Sequence, residues 1–396
     1  MLNRVALASE LEPATAIAAR IRARIPVVRG FFEREASRVT AAARALADRF
    51  ERGGTLYAFG SDAYATDAAH LSVEFVHPVI VGKRALPAFD LSASPEAFVM
   101  GLLGPNDIAV ALGPPRGDRA LEAVLEIAAR RGALTLALPG LTADFAFAAP
   151  ADDEHIHQEL FELLGHTLYE SVHVFLEQRG RGEGTGTSSF LYPFLNANTV
   201  PSTTDLAVSA SILEKVRDGE VLRELVAVTQ AQTVAAAADA INARLACGGR
   251  ILALGNGGSA TDATDFVLDC ILPAPEMARV PALSLACEPA VLTALGNDVG
   301  MDLTFMRQLI ARAKPNDVVL AFSTSGGSKN VVAALEEART RGLLSVALLG
   351  YDGGEIVRRG LADFSLVVSS AQIPRIQETQ ATIYHVLRER LGRHGT

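Results

Sequence analysis

Apolar positions along the chain fall into two patterns. Long Ala- and Leu-rich stretches at about 8–52, 154–178, 204–246 and 375–392 repeat their apolar residues with helical spacing. Short apolar runs, TLYAFGS (55–61), DIAVALG (107–113) and ALTLALPG (133–140), stand between turn formers. Runs this short and continuous predict strands buried on both faces. Helical patterns near 64–76 and 118–131 and an extended run near 80–91 lie between them. The second half repeats the scheme. Its strands are RILALGN (250–256), PALSLA (281–286), DVVLAFS (317–323), LSVALLG (344–350) and DFSLVVS (363–369), with a helix near 259–271. The alternation predicts an α/β chain of two domains. Each is a five-stranded parallel sheet with helices on both faces, a flavodoxin- or Rossmann-like three-layer sandwich.

The stretch 179–203, RGRGEGTGTSSFLYPFLNANTVPST, breaks the pattern with Gly, Ser, Thr, Asn and Pro and reads as a linker. The domains expected are therefore 1–178 and 204–396. They are related by an internal repeat: AFGSDAYATDAAHLSVEF (58–75) lies over ALGNGGSATDATDFVLDC (253–270) without a gap. In the last helix of each half, Gln158 and His166 match Gln377 and His385. The offset is 195 positions at the first motif and 219 at the last, which predicts an insertion in the second half, placed at VLTALGNDVGMDLTFMRQLIARA.

Composition narrows the class. Of 396 residues, 49% are hydrophobic and 20% charged, ample for large cores and against extended disorder. The net charge of −9 comes without a long basic run, so nucleic acid is not expected as a partner. No stretch approaches 18 uncharged apolar residues, and no membrane span is expected. The first residues, MLNRVALASELEPATAIAARIRARIP, lack the apolar core of a signal peptide. Cys247, Cys270 and Cys287 form no CxxC pair and fit a reducing compartment. The expected location is the cytoplasm.

Two turns carry anion-binding chemistry. In Gly255-Asn256-Gly257-Gly258-Ser259, glycines between a strand and a helix start let the backbone approach an anion closely. In Ser323-Thr324-Ser325-Gly326-Gly327-Ser328, four hydroxyls in six positions follow a strand's carboxyl end, where open α/β sheets bind ligands. A hydroxyl-rich, charge-poor cradle suits a sugar phosphate. The phosphate-binding set is Asn256, Gly257, Gly258, Ser259, Ser323, Thr324, Ser325 and Ser328. The first half has Tyr64 in place of Ser259 and Gly113-Pro114-Pro115-Arg116-Gly117-Asp118 in place of the hydroxyl loop. Proline donates no N–H, so this loop cannot form the same cradle.

Together GNGGSATDA, ALGNDVG (294–300), AFSTSGGSKNVVAALEEARTRG (321–342), LLGYDGG (348–354) and RIQETQATIYH (375–385) resemble the sugar isomerase, or SIS, domain. Within that family they are most similar to the phosphoheptose isomerases, which convert sedoheptulose 7-phosphate to a heptose 7-phosphate. The resemblance is strong over roughly 205–392 and faint over roughly 8–178. It implies a tandem chain: a degenerate SIS domain lacking the phosphate loop, then a phosphoheptose-isomerase-like one. Aldose–ketose isomerisation is the implied activity, in carbohydrate metabolism. The alternative is a non-catalytic module that senses sugar phosphates or binds a protein.

The same resemblance implies a zinc site and no nucleotide cofactor. The family carries His-x-x-x-Glu on the first helix and a Gln and a His eight apart on the last. The first half has all four, His70, Glu74, Gln158 and His166; the second has Asp265, Asp269, Gln377 and His385. The implied acid–base groups are Glu74 or Asp269 with His166 or His385. Eight residues rise about 12 Å along a helix, so Gln and His reach one ion poorly and composite sites are expected. His155 and His157 read as a solvated helix start. Single-domain relatives act as tetramers, so the resemblance implies a homodimer with pseudo-tetrameric arrangement.

Overall fold

The computed structural model describes residues 2–78, 83–140, 142–179 and 201–392. Its strands form two five-stranded parallel sheets. The first holds β1 (Leu56–Gly60), β2 (Ala88–Asp90), β3 (Ile108–Leu112), β4 (Leu134–Leu138) and β5 (Phe145–Ala146), in the order β2-β1-β3-β4-β5. The second holds β6 (Ile251–Leu254), β7 (Ala282–Ser284), β8 (Val318–Ser323), β9 (Leu344–Gly350) and β10 (Phe364–Val368), in the matching order β7-β6-β8-β9-β10.

Burial on both faces follows from the strand period of two. In the first sheet Leu56, Ala58, Ile108, Val110 and Leu112 enter one core, while Tyr57, Phe59, Ala109 and Ala111 enter another. In the second, Ile251, Ala253, Val318, Leu320 and Phe322 face one way and Leu252, Leu254, Val319 and Ala321 the other. Helices cover these faces. In the first half they are α1 (Leu2–Glu51), α2 (Ala65–Val76), α3 (Pro95–Leu102), α4 (Arg119–Arg130) and α5 (Glu154–Arg179). After them come α6 (Pro201–Thr229), α7 (Ala231–Ala246), α8 (Gly258–Ile271), α9 (Pro289–Asp298), α10 (Thr304–Arg312), α11 (Lys329–Thr340), α12 (Gly354–Arg358) and α13 (Ile373–Arg388).

The pattern reading named neither α3 and β5 in the first half nor α9 to α12 in the second. Helix α3 is eight residues long and buries one apolar side chain, Val99, so it shows no periodic stripe. Strand β5 has two residues. The stretch expected as an insertion holds most of α9, a 3-10 turn at Met301–Leu303, and α10. Of the expected linker 179–203, residues 180–200 lie outside the described residues, while Arg179 closes α5 and Pro201 opens α6.

The chain divides into two compact units, Val27–Asp218 and Met1–Pro26 with Gly219–Thr396, rather than at the expected boundaries near 178 and 204. The physical reason is helix packing. Ile17, Ala18 and Ile21 of α1 share a core with Val226, Ala235 and Ile241, whereas Val28, Phe31, Phe32 and Val39 share one with Leu56 and Ile108. Arg24 reinforces the first arrangement with a buried ion pair to Glu389 at 2.8 Å. A continuous helix through Pro26 leaves no break in the sequence pattern at this boundary. No helix among the described residues is long and apolar enough to cross a membrane.

Candidate active site

In the unit of the second sheet, the strand order reverses between β6 and β8, and ligands of open α/β sheets bind at the carboxyl ends there. Both anion-binding turns lie at this point. Gly257 takes φ +56° at the start of α8, a conformation that glycine adopts without strain. A side chain at Gly255 would place its Cβ 2.2 Å from the Ser259 carbonyl oxygen, so only glycine closes this turn.

The second turn is held from within. Ser323 Oγ accepts from the Gly326 N–H at 3.1 Å and lies 3.4 Å from Ser328 Oγ; Ser325 Oγ accepts from the Gly327 N–H at 3.2 Å. The β9–α12 loop supports it. Gly350 N–H donates to the Thr324 carbonyl and Ile356 N–H to the Gly326 carbonyl, both at 3.0 Å. Ser328 opens α11 without a side-chain capping bond. Ser259 and Ser323 are buried and Ser325 is exposed, so the hydroxyls run from the floor of the turn to solvent. A phosphate fits such a surface through hydroxyls, N–H groups and a helix N-terminus.

The unit of the first sheet fills the corresponding place differently. Asp118 caps α4, its Oδ1 accepting from Ala120 N–H at 2.8 Å and Leu121 N–H at 3.4 Å. A carboxylate fixed at that helix start supplies the negative charge a phosphate would bring. Asp62 takes φ +51°, close to the +56° of Gly257, although the hydroxyl loop is absent. His157 is buried, against the expectation of a solvated helix start, and so is His155. His157 Nε2 donates to the Gly113 carbonyl at 3.0 Å, and burial pushes its pKa down to about 4.

The structure places the residues expected as acid–base groups in two clusters. In the first, α2 presents His70 and Glu74 one turn apart, and α5 presents His166. Their ligand atoms lie within 4.8 Å of one another, with His70 Nε2 3.8 Å from Glu74 Oε1. The two imidazole rings meet edge to face at 5.4 Å. A cavity of about 30 Å³ adjoins them, lined also by Asp67 and Glu162. Burial raises the Glu74 pKa to about 7; the Glu170 charge adds to this and His70 opposes it. Glu74 Oε2 has no hydrogen-bond partner among the described residues. Two imidazoles and a carboxylate are a donor set that suits zinc. Gln158 is drawn aside and donates to Asp67 Oδ2 at 3.3 Å.

In the second cluster, His385 Nε2 of α13 lies 3.6 Å from Asp265 Oδ2 and 3.4 Å from Asp269 Oδ2 of α8. The Tyr384 hydroxyl donates to Asp265 Oδ2 at 2.7 Å. Burial, then the Asp269 charge, pushes the Asp265 pKa up, against the pull of His385 and Tyr384. Gln377 is buried on the same helix, and its Oε1 has no hydrogen-bond partner among the described residues.

Residue-type reasoning missed Tyr384, Glu162 and Glu170. A signal was present for the last two. Gln158, Glu162, His166 and Glu170 recur every four residues on a helix otherwise rich in Leu, Phe and Tyr. Residues 155–175 are buried on all sides, where unneeded polar groups are costly.

Comparison with known proteins identifies the family. The family model of the SIS domain matches residues 216–350. The phosphoheptose isomerase of Geobacter sulfurreducens is 42% identical over 177 residues, 44% of this chain and 93% of that one. That of Pelobacter propionicus is 49% identical over 142 residues, 35% of this chain and 74% of that one. Among solved structures, the C-terminal domain of glucosamine-fructose-6-phosphate aminotransferase from Francisella tularensis superposes with a TM-score of 0.57. It is 10% identical and covers 95% of this chain and 94% of that one. Tagatose-6-phosphate ketose/aldose isomerase from Escherichia coli gives 0.54 at 13% identity, covering 96% and 94%. At such identities these two structures show the fold alone. With a curated relative matched over nearly its whole length, the chain belongs to the SIS-domain family that contains the phosphoheptose isomerases.

Proposed function

We propose that this chain isomerises a sugar phosphate between ketose and aldose, with sedoheptulose 7-phosphate as substrate and a heptose 7-phosphate as product. The observation that carries the reading is the hydroxyl cradle at the switch point of the second sheet, formed by Ser259, Ser323, Thr324, Ser325 and Ser328. The phosphoheptose isomerases that resemble the chain support it.

The phosphate docks on the cradle. Helix α8 runs inward from it and carries Asp265 six residues, about 9 Å, beyond Ser259. This separation suits a substrate whose reacting carbons lie at the end opposite its phosphate. Asp269 takes a proton from C1 of the ketose while His385, 3.4 Å from it, gives one to O2. The resulting enediol returns O1's proton to the histidine and receives the carboxylate's proton at C2, which leaves an aldose. His70, Glu74 and His166 would hold zinc, which when bound polarises the substrate oxygens. The second set, Asp265, Asp269 and His385, offers harder oxygen donors to a metal.

The reading includes a cytoplasmic homodimer. Light scattering at twice the 41.8 kDa of one chain would support the dimer, and a mass near one chain would refute it.

A second reading rests on Asp265 and Asp269, which stand where the family carries His and Glu: a sensor that binds sugar phosphates without turning them over. One experiment separates the two. NMR of sedoheptulose 7-phosphate with zinc-supplied protein should show conversion to an aldose phosphate. Binding without conversion would leave only the sensor.

A further inference from the structure

We infer that Asn330 is a positioning residue that joins the two anion-binding turns into one cradle by holding Asn256. The inference deepens the phosphate-site reading above and rests on it. Asn330 is buried in the first turn of α11, two residues beyond Ser328, and Asn256 stands exposed in the turn between β6 and α8. Their side-chain amides pair reciprocally. Asn256 Nδ2 donates to Asn330 Oδ1 at 2.9 Å, and Asn330 Nδ2 donates to Asn256 Oδ1 at 2.8 Å. The two hydrogen bonds join the same two side chains in opposite directions, so the pair fixes orientation as well as distance. Asn330 Nδ2 also reaches Thr304 Oγ1 at 3.5 Å, and Thr304 in turn donates to the Met301 carbonyl.

The fold does not need this pair. In the unit of the first sheet, β1 and β3 are adjacent just as β6 and β8 are, with a positive φ at Asp62 as at Gly257. There Ser61 stands in the place of Asn256 and Ala120 in that of Asn330. The amide pair therefore accompanies the hydroxyl loop and is missing where that loop is missing. Asn256 lies on an exposed turn with a glycine on each side, and a side chain in that setting loses much conformational freedom when it is ordered by a ligand. The amide pair orders it beforehand, which lowers the cost of binding.

The test is a double-mutant cycle read by calorimetry with sedoheptulose 7-phosphate, with Ser325→Ala as reference. Asn330→Ala should raise the Kd roughly fivefold to tenfold. In an Asn256→Ala background the same substitution should change it by less than twofold, because the residue through which it acts is gone. Turnover at saturating substrate should stay within twofold, so the loss appears in KM. Asn330→Ser is measured alongside and decides the question if the alanine variant fails to fold. An unchanged Kd, or equal effects in both backgrounds, overturns the inference while a weakened Ser325→Ala variant upholds the phosphate site. If Ser325→Ala also binds normally, the phosphate reading falls and this inference with it.

Discussion

Asp118 Oδ1 accepts a hydrogen bond from the Ala120 N–H at 2.8 Å and closes the start of α4 with the protein's own negative charge. At the matching place in the other unit, Ser328 leads into α11 with a hydroxyl and no side-chain cap. One fold thus presents two opposite surfaces to an anion. In the first unit a carboxylate would repel it; in the second, hydroxyls and N–H groups stand free of such a charge.

The cradle residues should show this in affinity. Ser325→Ala and Ser259→Ala each remove a hydrogen bond to a charged group, of about 1.5–3 kcal/mol. Each should weaken sugar-phosphate binding by roughly ten- to a hundredfold in calorimetry. Normal affinity in both variants would dismiss the site.

Asp118→Ala should do the reverse. It removes an N-cap, which costs about 1 kcal/mol of stability in denaturant titration, and it leaves sugar-phosphate affinity unchanged. A marked change in affinity would mean that the first unit also takes part in phosphate binding.

His385→Ala should lower turnover more than a hundredfold and leave phosphate affinity within twofold, since His385 meets Asp265 and Asp269 in the unit that carries the cradle. Steady-state kinetics paired with calorimetry checks this. Full activity from His385→Ala would remove this cluster from the proposed mechanism.

Tyr384→Phe should destabilise the protein by about 1–3 kcal/mol, because it deprives the buried Asp265 carboxylate of its 2.7 Å donor. Urea denaturation at neutral pH measures the loss, and a midpoint equal to wild type would show that the bond contributes nothing.

Acid stability should report on His157. Its pKa falls from 6.5 to about 4 on folding, so the unfolded chain binds the extra proton between these values. The stabilisation is complete above pH 6.5 and is lost as pH drops toward 4, by up to about 3 kcal/mol. His157→Gln keeps a donor for the Gly113 carbonyl but does not titrate. The wild type should therefore lose stability relative to this variant over that window, and parallel curves would contradict the assignment.

Much of this protein is legible in its sequence because the signals are local. Short apolar runs set the strands, and glycines with hydroxyls at strand ends mark the two turns of the cradle. The spacing of His70 and Glu74 places both on one helix face without knowledge of the rest. What crosses the chain was decided by packing. Helix α1 is continuous in sequence, yet Ile17 and Phe31 enter different cores, because compact units follow buried area rather than helix boundaries. His157 carries the same residue type as a solvated helix start, and only the Gly113 carbonyl beside it shows that it is buried and neutral. The Tyr384–Asp265 bond and the Asn256–Asn330 pair join residues 119 and 74 positions apart. No periodicity records such pairs, since they exist only once adjacent strands and their helices have brought distant side chains into contact.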